Sequence, residues 1–426
     1  TMPGWAGSSW YWLRYMDPGN TERFAGKEAV DYWKQVDLYV GGSEHATGHL
    51  LYVRFWTKFL FDRGFIAVEE PAQKLVNQGM IQGKTAWLHG ILYISGREEW
   101  KEPNSQGPLW ISCDVEAAWH SEDPLRRELA AKAITGILGM AVTEADRGLI
   151  RFFKRAIPVN LLSSETEVAL EALKASLLQD FDARRVVTFD NRIRVERQVD
   201  KMSKRWHNVV NPDDMCDQYG ADTLRLYEMF LGPLEQSKPW DTNGIEGTSR
   251  FLKKFWNLFF ESDILSVSDV AATKAELKVL HATLKKVTED IDKLSFNTSV
   301  SQFMIAVNEL GALKCHKRDV LEPLTIALAP FAPHIAEELW SLLGHTESIT
   351  TAPWPQWQAE HLVEDSFSYP ISFNGKTRLQ LEFPMELDAK SVEAAVLANP
   401  EVQARLEGKL PKKVIVVPKR IVNIVV

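Results

Sequence analysis

The chain is poor in several things, and each absence narrows what it can be. Its 426 residues include only three cysteines, Cys113, Cys216 and Cys315. They lie far apart and without a Cys-x-x-Cys pair, which argues against a disulfide scaffold or a cysteine-rich zinc site and favours a reducing compartment. No run of about 18 apolar residues is free of charge, so no transmembrane helix is expected. No basic leader precedes an apolar stretch at Thr1-Met2-Pro3-Gly4, so no signal peptide is expected and a cytoplasmic setting follows. Positive charge is not in excess. Lys and Arg number 49 against 57 Asp and Glu, a net charge of −8, which weighs mildly against a nucleic-acid binder. There is no internal repeat and no low-complexity tract. The 45% hydrophobic and 25% charged content is that of a soluble globular protein, and the length suggests two to four domains.

Against this background one short stretch stands out. Lys201-Met202-Ser203-Lys204 sets two lysines three apart on a tight loop. Lysine acts as a mobile point charge, and a pair suits neighbouring phosphates. Where charge builds on a leaving pyrophosphate, such a loop lowers the barrier. The competing reading is a solvated basic turn.

A second stretch reads as strand, glycine turn and helix. Asp37–Val40 is a short apolar strand, Gly41-Gly42 allows close backbone approach, and Ser43 is placed to cap the helix that follows. This is the usual nucleotide site of open α/β sheets. His45 and His49 lie four apart and share a helix face. A metal would need a third ligand and no His-Glu-x-x-His is present, so they are expected to line a polar site without metal. The aromatic segment Trp5–Trp12 resembles a site lining, and its abrupt opening suggests a chain that begins inside a larger protein.

The remaining pattern organises around these two stretches. Residues 84–198 mix strands (Ile91–Ile94, Leu109–Ser112) with helices (Pro124–Gly136, Ser164–Gln179) and end in a hairpin around Asp190-Asn191. Asn211-Pro212 starts a helix, and Ala221–Phe230 is amphipathic. Apolar stripes predict a helical bundle over 247–345, with helices at 274–294, 298–314 and 319–343, the last broken by Pro330 and Pro333. A Pro/Trp linker over 353–367 leads to a hairpin turning at Asn374-Gly375, a helix Ser391–Leu406, and strands Val414–Val417 and Ile421–Val426. Residues 401–426 carry a local balance of +4, which suits phosphate binding or a lysine-protected strand edge equally.

In order along the chain, Ser8-Ser9-Trp10-Tyr11, Gly41–His45 with His49–Tyr52, Gln78-Gly79-Met80, Lys201–Lys204, Tyr219–Thr223, Phe296-Asn297-Thr298, Pro330-Phe331 with Pro333-His334, and Asn374-Gly375-Lys376 resemble a bacterial-type leucyl-tRNA synthetase of class I. Residues 95–155 match the family poorly. The resemblance implies a multidomain α/β plus all-α protein. Its parts would be the second half of a Rossmann-like nucleotide-binding fold (1–83), a leucine-specific α+β insertion (84–198), the lysine loop and connector (199–246), a helical anticodon-binding-type domain (247–352) and a linker with a C-terminal α+β domain (353–426).

The same resemblance implies ligation of leucine to tRNA(Leu) through leucyl-adenylate. ATP with Mg2+ would be a substrate, with no tightly bound cofactor and a monomeric protein. It assigns Lys201 and Lys204 to catalysis. Gly41, Gly42, Glu44 and His45, with Lys201, Met202, Ser203 and Lys204, would meet ATP. Trp5, Ser8, Tyr11, His45 and His49 would shape the leucine pocket. The basic residues Lys409, Lys412, Lys413, Lys419 and Arg420 would contact tRNA. Two departures stand out. Arg205 replaces the serine that usually follows the second lysine. The family's His-x-Gly-His motif and editing domain are missing, which implies a C-terminal half inactive alone. The alternative is a tRNA-binding module without catalysis.

Overall fold

The computed structural model describes residues 5–94, 109–175, 185–363 and 366–426. Its contacts divide the chain into two units. One comprises Thr1–Asn257, Glu289–Met304 and Leu328–Glu338, the other Leu258–Thr288, Ile305–Ala327 and Leu339–Val426.

The first unit opens with short helices, then strand β1 (Val36–Gly42), helix Leu51–Asp62 and strand β2 (Ala72–Gln78). β1 and β2 pair in parallel from Val36 beside Ala72 to Gly42 beside Gln78. The helix between them buries Val53, Thr57 and Leu60, at the i, i+4, i+7 spacing of a helix face. Val53 and Leu60 meet Trp12, Leu13, Val30 and Ile66 in one apolar cluster. A two-pronged ion pair from Arg54 to Glu70, at 2.8 and 2.5 Å, ties the helix to the chain entering β2. It holds the Glu70 carboxyl down to about 2. The opposite face leaves Leu51, Tyr52, Phe55 and Phe59 exposed. The entry to the helix differs from the expected glycine turn and Ser43 cap: Gly41 and Gly42 stay extended as the last paired residues of β1, beside Asn77 and Gln78, because the parallel ladder continues through them. A 3-10 turn (Ser43–His45) and one π-helical turn (Ala46–Leu50) come first, and Ser43 makes no capping bond.

After Gly79-Met80 the chain enters β3 (Ile81–Ile94), the longest strand. Downstream lie β4 (Leu109–Ile111), β5 (Ile150–Ile157), β6 (Glu167–Val168), β7 (Val186–Val187), β8 (Ile193–Arg194), β9 (Glu196–Lys201) and β10 (Lys238–Pro239). β4, β5 and β9 pair antiparallel to β3, β10 pairs parallel to it, and β7 adds to β4. Side chains alternate between two cores. Leu109 and Ile111 join Ile91, Trp119 and Ile134, whereas Trp110 joins Leu88, Ile157 and Ile193.

Two expectations for this module fail, the first for a tertiary reason and the second for a local one. The arms around Asp190-Asn191 do not pair with each other. β7 pairs with β4 and β8 with β6, because Val187 is buried in one core and Ile193 in the other. The turn survives, with Asn191 left-handed at φ 62°. The expected helix Ser164–Gln179 starts only at Leu170 and is described to Ala175. The Ser163 and Ser164 hydroxyls bond the Glu167 backbone and hold a turn there instead. Residues 176–179 lie outside the described residues.

Helices Pro212–Tyr219, Ala221–Phe230 and Thr242–Asn257 follow. The bundle helices are Lys274–Asp292, Phe296–Ala312, Arg318–Leu328 and Pro333–Leu342, so the prolines break the last pair where expected. Buried Asp222 accepts the His334 and Ile335 backbone N–H groups and lies 2.9 Å from His334 Nδ1. It thus caps a helix 112 residues away.

In the second unit, strands Ser366–Phe373 and Lys376–Pro384 form the expected hairpin, with Asn374 and Gly375 both at positive φ. Ile421–Val425 pairs parallel to the first of them and antiparallel to Lys413–Val417. The expected helix Ser391–Leu406 is two helices, Ala389–Ala398 and Pro400–Leu406. Pro400 cannot continue the first, and the Asn399 side chain caps the second. Among the described residues no helix is long and apolar enough to cross a membrane.

Replacing Asp222 by Ala leaves the first-turn amides of Pro333–Leu342 without their cap in a buried place. A loss of about 2 kcal/mol is expected, read as a lower urea midpoint at unchanged slope.

Candidate functional site

Two features of the first unit gather the residues singled out above. The first is a cleft of about 510 Å³ at the end of β1, lined by Tyr11, Tyr39, Gly41, Gly42, His45 and His49 among others. Tyr39 is its centre. Its hydroxyl lies 2.8 Å from the Tyr11 hydroxyl and 2.6 Å from His49 Nε2. Its ring stacks on the His49 ring at 6.0 Å. Burial, then the bond to Tyr11, pushes the Tyr39 hydroxyl well above its ordinary range. Burial, then the nearby His45, holds His49 below its ordinary value. Both groups are therefore neutral near pH 7 and act as hydrogen-bonding walls. Leu38, Val40 and Leu50 supply apolar surface beside them, so the cleft suits a small ligand with an apolar end and a polar head.

Of the residues expected here, the cleft unites Tyr11, Gly41, Gly42, His45 and His49. Ser8 and Glu44 are not in its lining. The Glu44 carboxylate instead folds over Gly42, where a Cβ would lie 2.1 Å from it, and approaches His45 Nε2 to 3.7 Å. Trp5 opens the first helix, and its side chain lies outside the described residues. Tyr39 and Tyr15 also line the cleft and were not expected. Nothing in the strand pattern singled out Tyr39, since its neighbours Leu38 and Val40 line the same cleft.

The second feature is the lysine loop. β9 ends at Lys201, which pairs with Gln82 of β3. Met202 packs inward against the cluster of Tyr227, Trp240 and Ile245, while Lys201 and Lys204 are exposed. Ser203 Oγ accepts the Arg205 N–H and starts a 3-10 turn, Lys204–Trp206. The Arg205 guanidinium lies 5.1 Å over the Trp206 ring, and Trp206 meets Trp87 edge-on at 5.0 Å. The loop thus points two mobile cations outward from an anchored backbone.

The strand register limits how far apart the two features lie. Gly42 neighbours Gln78, and Gln82 neighbours Lys201. The four residues from Gln78 to Gln82 span at most about 14 Å. With about 5 Å across each strand pair, the glycine end of β1 and the first lysine are within about 25 Å along the backbone. Elsewhere, Lys409, Lys412, Lys413, Lys419 and Arg420 are all exposed, around the edge strand Lys413–Val417 of the C-terminal sheet. Among the described residues no group of three or more His, Cys, Asp or Glu is placed to hold a metal ion.

The family model "tRNA synthetases class I (I, L, M and V)" matches residues 186–240, and "Anticodon-binding domain of tRNA ligase" matches residues 274–394. The leucine–tRNA ligase of Cytophaga hutchinsonii is 51% identical over 426 residues, covering 100% of this chain and 41% of the relative. That of Christiangramia forsetii is 48% identical over 425 residues, covering 100% and 40%. The chain therefore spans about 40% of the length of the curated relatives it matches. Among solved structures it is similar to the Agrobacterium radiobacter K84 agnB2 LeuRS in a ternary complex with tRNA and LeuAMS. The TM-score is 0.54 at 25% identity, over 100% of this chain and 41% of that one. The fold is that of a class I synthetase.

His49 is expected to titrate below the ordinary value of about 6.5, as read by imidazole NMR. Its contribution to stability is complete above about pH 6.5 and declines as pH falls from there through the folded value. His45→Gln removes the neighbouring like charge and should move the His49 midpoint upward.

Proposed function

The chain is homologous along its whole length to leucine–tRNA ligases, and on that premise we propose that it is the part of such an enzyme that carries the lysine loop, half of the nucleotide-binding fold and the tRNA-contacting domains. The whole enzyme joins leucine to Mg-ATP as leucyl-adenylate, releases pyrophosphate, and passes leucine to tRNA(Leu). The observation that carries the reading is the strand path. One segment, β2 to β3, links the glycine end of β1 to the lysine loop at the end of β9.

In this reading Lys201 and Lys204 offset the charge that develops on the leaving pyrophosphate. Met202 and Ser203 shape the loop backbone. Gly41, Gly42, Glu44 and His45 border the nucleotide. Trp5, Ser8, Tyr11, His45 and His49 receive leucine, and the neutral His49–Tyr39 pair adds a polar wall. The working parts are the nucleotide-binding half-fold (1–83), the insertion (84–198), the loop and connector (199–246), the helical domain (247–352) and the C-terminal domain (353–426). Lys409, Lys412, Lys413, Lys419 and Arg420 meet tRNA phosphates.

Physical features support a need for the rest of the enzyme. β1 and β2 form a two-stranded parallel sheet, an arrangement that is normally buried within a larger sheet. The helix between them exposes Phe55 at 66% and Leu51 at 62%, apolar surface that suits a protein contact. The exposed cations of the C-terminal sheet favour a second reading, a tRNA-binding module without catalysis.

Leucine-dependent ATP–pyrophosphate exchange separates these readings. The 426-residue chain alone should show none. In the complete enzyme, Lys201→Ala with Lys204→Ala should slow exchange by about a hundredfold or more. An unchanged rate would leave only the tRNA-binding module. Lys412→Ala with Lys413→Ala should flatten the dependence of log K for tRNA on log salt by roughly one to two units.

A further inference from the structure

Asn208 lies beneath the lysine loop and is 4% exposed. Its side-chain amide is fully used. Oδ1 accepts the Ser203 N–H at 2.9 Å. Nδ2 donates to the Lys201 carbonyl at 3.3 Å and to Thr85 Oγ1 at 2.9 Å. One side chain therefore grips the loop backbone on both sides of Met202 and fastens it to β3.

β3 is built to receive it. Gly83, Thr85 and Trp87 alternate along the strand and face one side of the sheet. Thr85 supplies the hydroxyl. Gly83 supplies space: a Cβ there would lie 2.3 Å from the Asn208 carbonyl and 2.8 Å from its Cγ, far inside contact distance. Trp87 receives the edge of Trp206, which carries Arg205 over its ring. Three successive positions on one face thus serve the loop by three different means.

We propose that Asn208, seated on this Gly83–Thr85–Trp87 platform, is the positioning residue that presents Lys201 and Lys204 to the phosphates. The inference rests on the reading of the loop as a phosphate-binding element. Lysine side chains are long and mobile, so their aim depends on the backbone from which they project. Electrostatic stabilisation depends on charges held in place before reaction, and small misplacements cost heavily. Arg205 strengthens the brace on the far side through its cation–π contact.

The test compares Asn208→Ala, Thr85→Val and Lys201→Ala in the complete synthetase carrying this chain. Thr85→Val keeps the side-chain shape and removes only the hydroxyl. In Asn208→Ala, kcat for ATP–pyrophosphate exchange should fall about tenfold or more, with KM for leucine within twofold and the melting midpoint little changed. Thr85→Val should fall in between. Adding Asn208→Ala to Lys201→Ala should cost less than the product of the single effects. In the 426-residue chain, hydrogen exchange at the Ser203 and Trp206 amides should quicken about tenfold in Asn208→Ala while β5 stays protected. Slow exchange chemistry in Lys201→Ala beside a normal Asn208→Ala would overturn the positioning role and leave the phosphate reading intact. No effect of Lys201→Ala would overturn both. Equal losses in kcat and leucine KM with a collapsed melting midpoint would show Asn208 to be a general fold residue and overturn the proposal.

Discussion

The hydrogen-bond ladder of β3 is the constraint on which the first unit depends. A buried strand must pair its backbone groups, and β3 pairs on both edges at points spread along it. Gln82 lies between Pro239 and Lys201, Ala86 between Ile157 and Arg197, and His89 between Lys154 and Ile111. Segments from four other parts of the chain are thereby fixed in register to one strand. Slipping any of them by one residue would turn its side chains to the wrong core. The alternation of Leu109, Trp110 and Ile111 between two cores makes that cost large. The lysine loop inherits this register because β9 delivers it with no intervening linker.

Register also explains the close packing around the glycines of this region. At Gly79 a Cβ would lie 2.1 Å from the Gln236 backbone, and at Gly90 one would lie 2.4 Å from the Phe153 ring. Gly79 sits where the chain leaves β2 for β3, and its N–H bonds the Leu234 carbonyl. The approach of the 234–240 segment to β3 therefore depends on a missing side chain. Glycine here serves close contact, since neither position has a positive φ.

The sequence was most legible where structure is local. The Asn374-Gly375 hairpin, the Asn211-Pro212 helix start and the Pro330/Pro333 break each follow from a few adjacent residues. It was least legible where partners are distant. The Asp190-Asn191 turn formed, but its arms were drawn to different cores. The expected Ser43 cap gave way to a 3-10 and a π-helical turn that bring His45 and His49 to one cleft. The lysine loop was visible as a motif because charge is a property of residue type, whereas the glycine pair signalled a turn and instead ends β1 as extended strand. Tyr39 was hidden, since an aromatic on a strand usually signals core. Asn208 was hidden more deeply: its hydrogen bond to Thr85 spans 123 residues, and nothing near Asn208 in the chain announces it.

The loop combines two demands that pull against each other. Its cations must remain in solvent to meet a charged ligand, so Lys201 and Lys204 cannot be fixed by ion pairs of their own. Its backbone must still be fixed, or the cations would sample too wide a volume to act together. The structure separates the tasks by residue. Met202 is half-buried against the cluster of Tyr227 and Trp240, Ser203 and Asn208 bind the backbone, and Trp206 anchors the far side. Restraint is thus placed on every second or neighbouring residue, while the lysines keep their rotamer freedom. Arg205 fits this division. A guanidinium over Trp206 adds to the anchor through its face and leaves the lysines as the mobile charges. The replacement of serine at that position therefore changes how the loop is held more than which charges it offers.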